Sequence, residues 1–510
     1  MLVNTPTISE LSNDEALNLI AQIVDRASDD AIPELVDHSL YLADQLETRG
    51  LQPREMAMLD YFRANAWSCR CRSRLDDRVV AWHFEQPEVR QQVFLLRRAM
   101  NSTGFIALDA PRRCQILTNL ANQLSTLGRF VEAHAYWSAA LMIDPSFWMA
   151  RANRGRGLMH YANALYDPGH AEVFAFHAHC DLIKSVELIS IHPHLGDNRL
   201  IAFFSKSAEQ IAQHYDIDAI RMGYKPDDWD MGTEQTELAY RRWCLVEVLF
   251  LNPLNDIVTT SIAARDIMCL PDFITPINEP PIVVGMFNEL KQAFVTARWM
   301  LWEGTRSGEP HFSDRDVLLF NTLDYPAYGL AVEKVKIAFR IAYSILDKIA
   351  YFLNHYLALG IPEKRVSFRT IWREKENGPV RDRFAKSENW ALRGLFWLSK
   401  DLYEEDMRGS TEPEAQALAD LRNHLEHKYV KVHEMLLPRK SGGGPFDDTL
   451  AYAITRTDLE RRTLRLMQLA RSALIYLSLG MHREEQKREK GNEELKVMMP
   501  LDPWRDEWKR

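Results

Sequence analysis

Apolar positions recur at helical spacing along nearly the whole chain. From Ile8 to about Leu165 the pattern is almost unbroken. Ser12, Asn13, Asp14 and Glu15 read as a helix start ahead of Ala16, Leu17, Leu19, Ile20, Ile23 and Val24, since their side-chain oxygens can take up the first free backbone N–H groups. Between Cys114 and Pro145 the spacing becomes more specific. Leu120 and Ala121 fall where a first helix meets its neighbour, Gly128 marks a turn, and Phe130 and Ala133 open a second helix. Trp137 and Ala140 line that helix's inner face, and Asp144-Pro145 ends it, because proline cannot continue a helix.

This stretch resembles a tetratricopeptide repeat, whose period is about 34 residues; a plain helical hairpin is the alternative. A following unit starts near Trp148, with Gly155 at its small position, and leaves the pattern around Tyr166-Asp167-Pro168-Gly169. Met56–Ser68 and Gln91–Met100 read as degenerate helix pairs. One repeat cannot bury its own apolar face, so at least three stacked units are expected. Residues 170–310 stay helix-rich without the repeat and break sharply at Asn252–Asp256.

From 328 to 480 four amphipathic helices can be read. The first carries Val332, Val335, Phe339, Ala342, Ile345, Ile349 and Phe352 on one side. A second begins near Asn389, and a third runs from Glu412 to about Leu436, with Ser410 and Thr411 as caps and Pro413 in its first turn. A glycine-rich break at 440–445 precedes the fourth, which begins near Asp448. Four such helices with one long connection read as a four-helix bundle. The expected fold class is therefore all-α: a repeat region over 1–169, a helical middle region over 170–310, a bundle over 311–485 and a charged tail over 486–510. The tail reads as a solvated helix or a docking segment.

Composition supports a folded chain and little more. Apolar residues make up 46% of the 510 and charged residues 26%, while 22 glycines and 23 prolines are few for this length. The net charge of −9 argues against wrapping nucleic acid through bulk charge. Split along the chain, residues 1–314 carry net −13 and residues 315–480 net +4, so an anionic ligand belongs with the C-terminal part. The six cysteines are scattered with no Cys-x2-Cys pair, which suggests buried free thiols in a reducing compartment. The N-terminus lacks a basic stretch before an apolar one, and no long apolar run appears. A cytoplasmic protein away from membranes is expected. His170, His177, His179, His192 and His194 invite a metal hypothesis. On a helix, however, His177 and His179 would stand about 200° apart, so neither a metal nor any other cofactor is expected.

The third bundle helix concentrates the chemistry, in the run Asp420–Tyr429. Asn423 and His427 are four apart and share a helix face, as do Arg422 and Glu426. A histidine near neutral pKa can exchange a proton with a ribose 2′-hydroxyl or a leaving oxygen. An arginine can brace the charge that builds on a phosphate, and Asn423 can orient a phosphate oxygen or the imidazole. The bland alternative is a surface helix with Arg422 paired to Glu426. Arg340, Ser344 and Asp347 share a face of the first bundle helix and point either into the site or to water. Trp372, Trp390 and Trp397 could stack bases, with core packing as the default.

Arg422, Asn423 and His427 match the motif of the HEPN superfamily, helical domains marked by Arg, a polar residue, three to five further residues, then His. The bundle resembles that superfamily, and the text at 311–339 resembles a bacterial branch in which helical repeats precede the HEPN domain. The resemblance implies metal-independent RNA cleavage by 2′-hydroxyl attack, leaving a 2′,3′-cyclic phosphate and a 5′-hydroxyl. It also implies a homodimer formed through the bundle, a toxin or phage-defence role, and an antitoxin or trigger protein on the repeats. A non-catalytic RNA- or nucleotide-binding adaptor is the alternative. Tyr429 extends the match to HEPN toxins whose tyrosine is nucleotide-modified by an antitoxin; packing inside the bundle is the other reading. Arg-x4-His alone is not specific, since Arg78…His83 and Arg129…His134 also fit.

Overall fold

The computed structural model describes residues 7–75, 81–191, 198–275, 279–375, 378–404, 413–434, 448, 450–490 and 500–509. Helix α1 (Asn13–Asp29) opens with a reciprocal cap: the Ser12 hydroxyl accepts the Glu15 N–H at 3.4 Å, and the Glu15 carboxylate accepts the Ser12 N–H at 2.9 Å. α1 packs on α2 (Pro33–Glu47) and α3 (Pro53–Leu75), and α3 on α4 (Pro87–Asn101). The stretch singled out between Cys114 and Pro145 is the hairpin of α5 (Ala110–Thr126) and α6 (Phe130–Ile143). Next come α7 (Trp148–Ala162) and α8 (Pro168–Ile191), where a side chain at Gly155 would press on Ala178 and Leu182 of α8. α9 (Asn198–His214) lies against α8, followed by α10 (Ile217–Gly223) and α11 (Gln235–Val246).

The C-terminal part is built from α12 (Ile282–Arg306), α13 (Leu330–Tyr356), α14 (Asp382–Ala385), α15 (Trp390–Tyr403), α16 (Pro413–His427) and α17 (Arg456–Lys490). The seven apolar positions expected on one side of α13 are all buried. α17 packs on α12, α13 and α15, and α16 lies against α13 and α15. Between Leu466 and Met481, α17 is buried on every side, as befits a helix through the middle of a molecule. It also continues past Gly480, where Glu484 and Glu485 are buried, to Lys490, so the first residues of the charged tail extend this helix. Residues 491–499 lie outside the described residues.

Two departures from the helical reading fall beside the chemical motif. The third bundle helix stops at His427, and Tyr429–His433 is a strand, β1. The fourth helix starts only at Arg456, because Ala451–Thr455 forms β2, paired parallel to β1 with Tyr429 opposite Ala451 and His433 opposite Thr455. The alternation Val430-Lys431-Val432 suits a pleated strand better than a helix, since branched side chains lose rotamer freedom against the preceding helical turn. Residues 311–328, between α12 and α13, hold a run of exposed apolar side chains, with Leu318 80% and Phe320 79% accessible.

The N-terminal helices and the C-terminal part share one apolar core. Where they meet, Gly128 adopts φ +85° at the α5–α6 turn, and a Cβ there would collide with the Trp390 carbonyl of α15; one at Gly394 would collide with the Gly128 carbonyl. Both positions must be bare for the two backbones to approach. Of the six free cysteines, Cys71, Cys114 and Cys244 are buried, but Cys180 and Cys269 are exposed.

Candidate functional site

α16 is held by an apolar seam of Leu418, Leu421 and Leu425, all buried. Spacings of three and four put that seam on one side of the helix, and Arg422 and Asn423 fall beside it. Both line a cleft of about 200 Å³ that also takes Tyr343 and Asp347 from α13, Ser367 and Arg369 from the segment after α13, and Tyr403 from the last turn of α15. Arg422 is half-buried, and Asn423 is exposed. The Arg422 guanidinium carbon sits 5.1 Å from the centroid of the Tyr343 ring, within reach of a cation–π contact. The Tyr343 and Tyr403 rings meet edge to face at 6.3 Å. Burial, Tyr343 and the Asp347 carboxylate push the Tyr403 hydroxyl well above its ordinary pKa, and Arg422 opposes them. Tyr403 therefore stays protonated near neutral pH.

Other sequence-derived candidates separate here. Glu426 pairs with Arg340, whose Nε lies 3.5 Å from Oε1, and Arg340 also donates to the Leu425 carbonyl. Arg340 thus ties α13 to α16 rather than facing the cleft. Among the described residues Arg422 makes no ion pair, so the Arg422–Glu426 pairing considered from spacing does not form. The Ser344 hydroxyl donates to the Ile341 carbonyl of its own helix at 2.9 Å. Of the polar stripe on α13, only Asp347 reaches the cleft, where it accepts the Phe368 N–H at 2.9 Å. Tyr429 begins β1 and is 45% exposed, so it does not pack inside the bundle. His427 is the last residue of α16; its side chain falls outside the described residues.

The competing Arg-x4-His match at the α5–α6 hairpin has a different fate. Arg129 is buried between Asp401 and Glu132, and burial, Arg154 and His177 drive the His134 imidazole down to about 3. It cannot exchange protons near neutral pH. His83 is exposed, while Arg78 lies outside the described residues. Trp372 and Trp397 are fully buried and Trp390 stacks on Phe130, so these rings serve the core. Four cleft residues escaped the sequence reading: Tyr343, Ser367, Arg369 and Tyr403. Tyr343 and Asp347 are four apart on one helix, which was a usable signal; Ser367 and Arg369 come from one other segment and Tyr403 from a third, and they carried none.

The cleft gathers two guanidinium groups, three hydroxyls and an amide around one carboxylate, a set suited to an anion. Among the described residues no group of three or more His, Cys, Asp or Glu side chains is placed to hold a metal ion. A family model described as LA2681-like HEPN matches residues 274–484. The C-terminal part of this chain holds a HEPN domain. The match begins before α12, within the stretch that the hydrophobic pattern assigns to the middle region, and ends in the buried turn of α17 that carries Glu484. The HEPN domain therefore includes every residue lining the cleft. No curated protein and no solved structure matches the chain. A HEPN domain points to a nuclease or other RNA-related function. No helix among the described residues is long and apolar enough to cross a membrane.

Proposed function

We propose that this protein is a metal-independent endoribonuclease whose catalytic residues are Arg422, Asn423 and His427. The observation that carries the reading is that Arg422 and Asn423 line a polar cleft inside the HEPN domain, on the helix that ends in His427. In the reaction a ribose 2′-oxygen bonds to the adjacent phosphorus as the bond from phosphorus to the 5′-oxygen breaks. The 2′-hydroxyl proton is removed and a proton is delivered to the leaving 5′-oxygen, leaving a 2′,3′-cyclic phosphate and a 5′-hydroxyl. His427 exchanges one of these protons, Arg422 braces the charge on the phosphate oxygens, and Asn423 orients a phosphate oxygen or the imidazole. Two copies of the bundle facing each other would bring two such motifs into one site. The repeat region then receives a trigger or antitoxin, in a toxin or phage-defence role.

The test is end-group analysis of RNA treated with purified protein in EDTA. Wild type should yield cyclic-phosphate ends, and Arg422→Ala and His427→Ala should each cut the rate roughly a hundredfold or more with unchanged helix content. Undiminished cleavage by both variants would sink the assignment. RNA binding by wild type without cyclic-phosphate ends would favour the non-catalytic adaptor.

A further inference from the structure

We infer that Arg369 binds the phosphate next to the scissile one, giving the cleft a second, single-phosphate subsite for an RNA strand. This rests on the reading of the cleft as an RNA site and adds a contact outside the motif helix.

The segment around Arg369 is fixed rather than loose. Phe368 is fully buried. Its N–H donates to Asp347 at 2.9 Å, and its carbonyl accepts both the Trp372 indole N–H and the Ser399 hydroxyl at 2.8 Å. On one side Ser367 closes a local turn: its hydroxyl lies 2.9 Å from the Thr370 hydroxyl and accepts the Thr370 N–H at 3.3 Å. Arg369 is thereby carried on a pinned backbone at the edge of the cleft.

Depth separates the two guanidinium groups. Arg422 is half-buried over the Tyr343 ring, whereas Arg369 is exposed. They come from different elements but line the same 200 Å³ space. The inner group suits the phosphate at which charge builds, and the outer one suits its neighbour along the strand. With net +4 over residues 315–480, general attraction for RNA is weak, so an individually placed arginine has a visible share of the binding.

The experiment compares binding of 2′-O-methyl oligonucleotides, which cannot be cleaved, to the full-length wild type and to Arg369→Gln. A dinucleoside monophosphate has one phosphate, and a tetranucleotide supplies flanking ones. The tetranucleotide should bind wild type more tightly. Arg369→Gln should weaken tetranucleotide binding about tenfold, leave the dinucleotide within twofold, and lower the salt slope for the tetranucleotide by about 0.7; Arg369→Lys should recover part of the loss. Equal losses on both ligands, no loss on either, or no wild-type preference for the longer ligand would each overturn the subsite. The ribonuclease reading falls separately, if wild type binds the tetranucleotide but leaves its ribose form uncut.

Discussion

Arg422 owes its position to Tyr343, a buried ring on a different helix that it covers at 5.1 Å. A cation–π contact contributes about 0.5–2 kcal/mol, more as water is excluded. For the proposed ribonuclease it matters because a flexible guanidinium must be held where phosphate charge would build. Tyr343 acts through Arg422, so it is a positioning residue. Tyr343→Phe keeps the ring and should leave RNA cleavage within about threefold of wild type. Tyr343→Leu loses the face and should lower kcat by roughly 3–30-fold with little change in KM. Equal losses in both variants would show that the hydroxyl, not the ring face, is what counts. The residue scale also shows how far a motif goes by itself. Arg129…His134 and Arg422…His427 have the same spacing in sequence, yet one arginine is locked in a buried ion cluster and the other lines an open cleft.

At the scale of elements, the strand pair is where helical periodicity misled. Val430 and Val432 alternate with polar residues, but they directly follow a helix, and the partner strand begins 18 residues beyond His433. Parallel strands need such a long connection, so the pairing is invisible in a local window. Lys431 secures the pair from inside. Itself buried, it reaches Asp324 at 2.8 Å and Asp448 at 3.0 Å. The exposed apolar run at 311–328 is attached here too, through Asp324 and through the Ala327 N–H, which donates to the Val432 carbonyl at 2.6 Å. Lys431→Met should speed amide hydrogen exchange at Ala327 and in both strands while α5 and α6 exchange as before. Unchanged exchange at Ala327 and the strands would show that the ion cluster does not hold this corner.

Across the whole molecule the acidic N-terminal region and the basic bundle meet through specific charges. Asp401 of α15 accepts from Arg97 at 3.0 Å and from Arg129; Arg129 also holds Glu132, which Tyr476 of α17 reaches. Alongside, Lys400 bonds Glu85 at 2.7 Å, and Arg373 bridges Glu85 and Glu404. α15 therefore joins the N-terminal helices at Asp401 and the cleft at Tyr403, two residues later. Asp401→Asn would strand the buried Arg97 guanidinium and leave Arg129 with Glu132 alone, and should destabilise the protein by about 3–5 kcal/mol, read as a lower urea midpoint. Burial alone would raise the Asp401 pKa, but Arg97 and Arg129 outweigh it and hold the carboxyl below its ordinary value. A depressed acid stabilises the fold above its unfolded pKa of about 3.9 and loses that contribution as pH falls through the folded value. Wild type should thus lose stability below about pH 4, and Asp401→Asn should lose less over the same range. Parallel pH curves for the two proteins would rule out this origin. Asp256 does not add to the effect, because burial outweighs the opposing Arg471 and raises its pKa instead.

Helical periodicity, sparse glycine and proline, and the spacing of Arg422, Asn423 and His427 were set in the sequence, because a helix writes its buried face and its neighbours into residues three and four apart. The same locality made the α5–α6 hairpin readable from Cys114 to Pro145. Tertiary structure decided what no local window contains. It took Glu426 from Arg422 and gave it to Arg340, turned residues 429–433 into a strand, and brought Tyr343, Arg369 and Tyr403 to one cleft. It also packed α17 and α15 against the N-terminal helices, so that the two charge-distinct halves became one core. Those outcomes depend on which distant surfaces bury each other, and that is a property of the folded chain rather than of any segment in it.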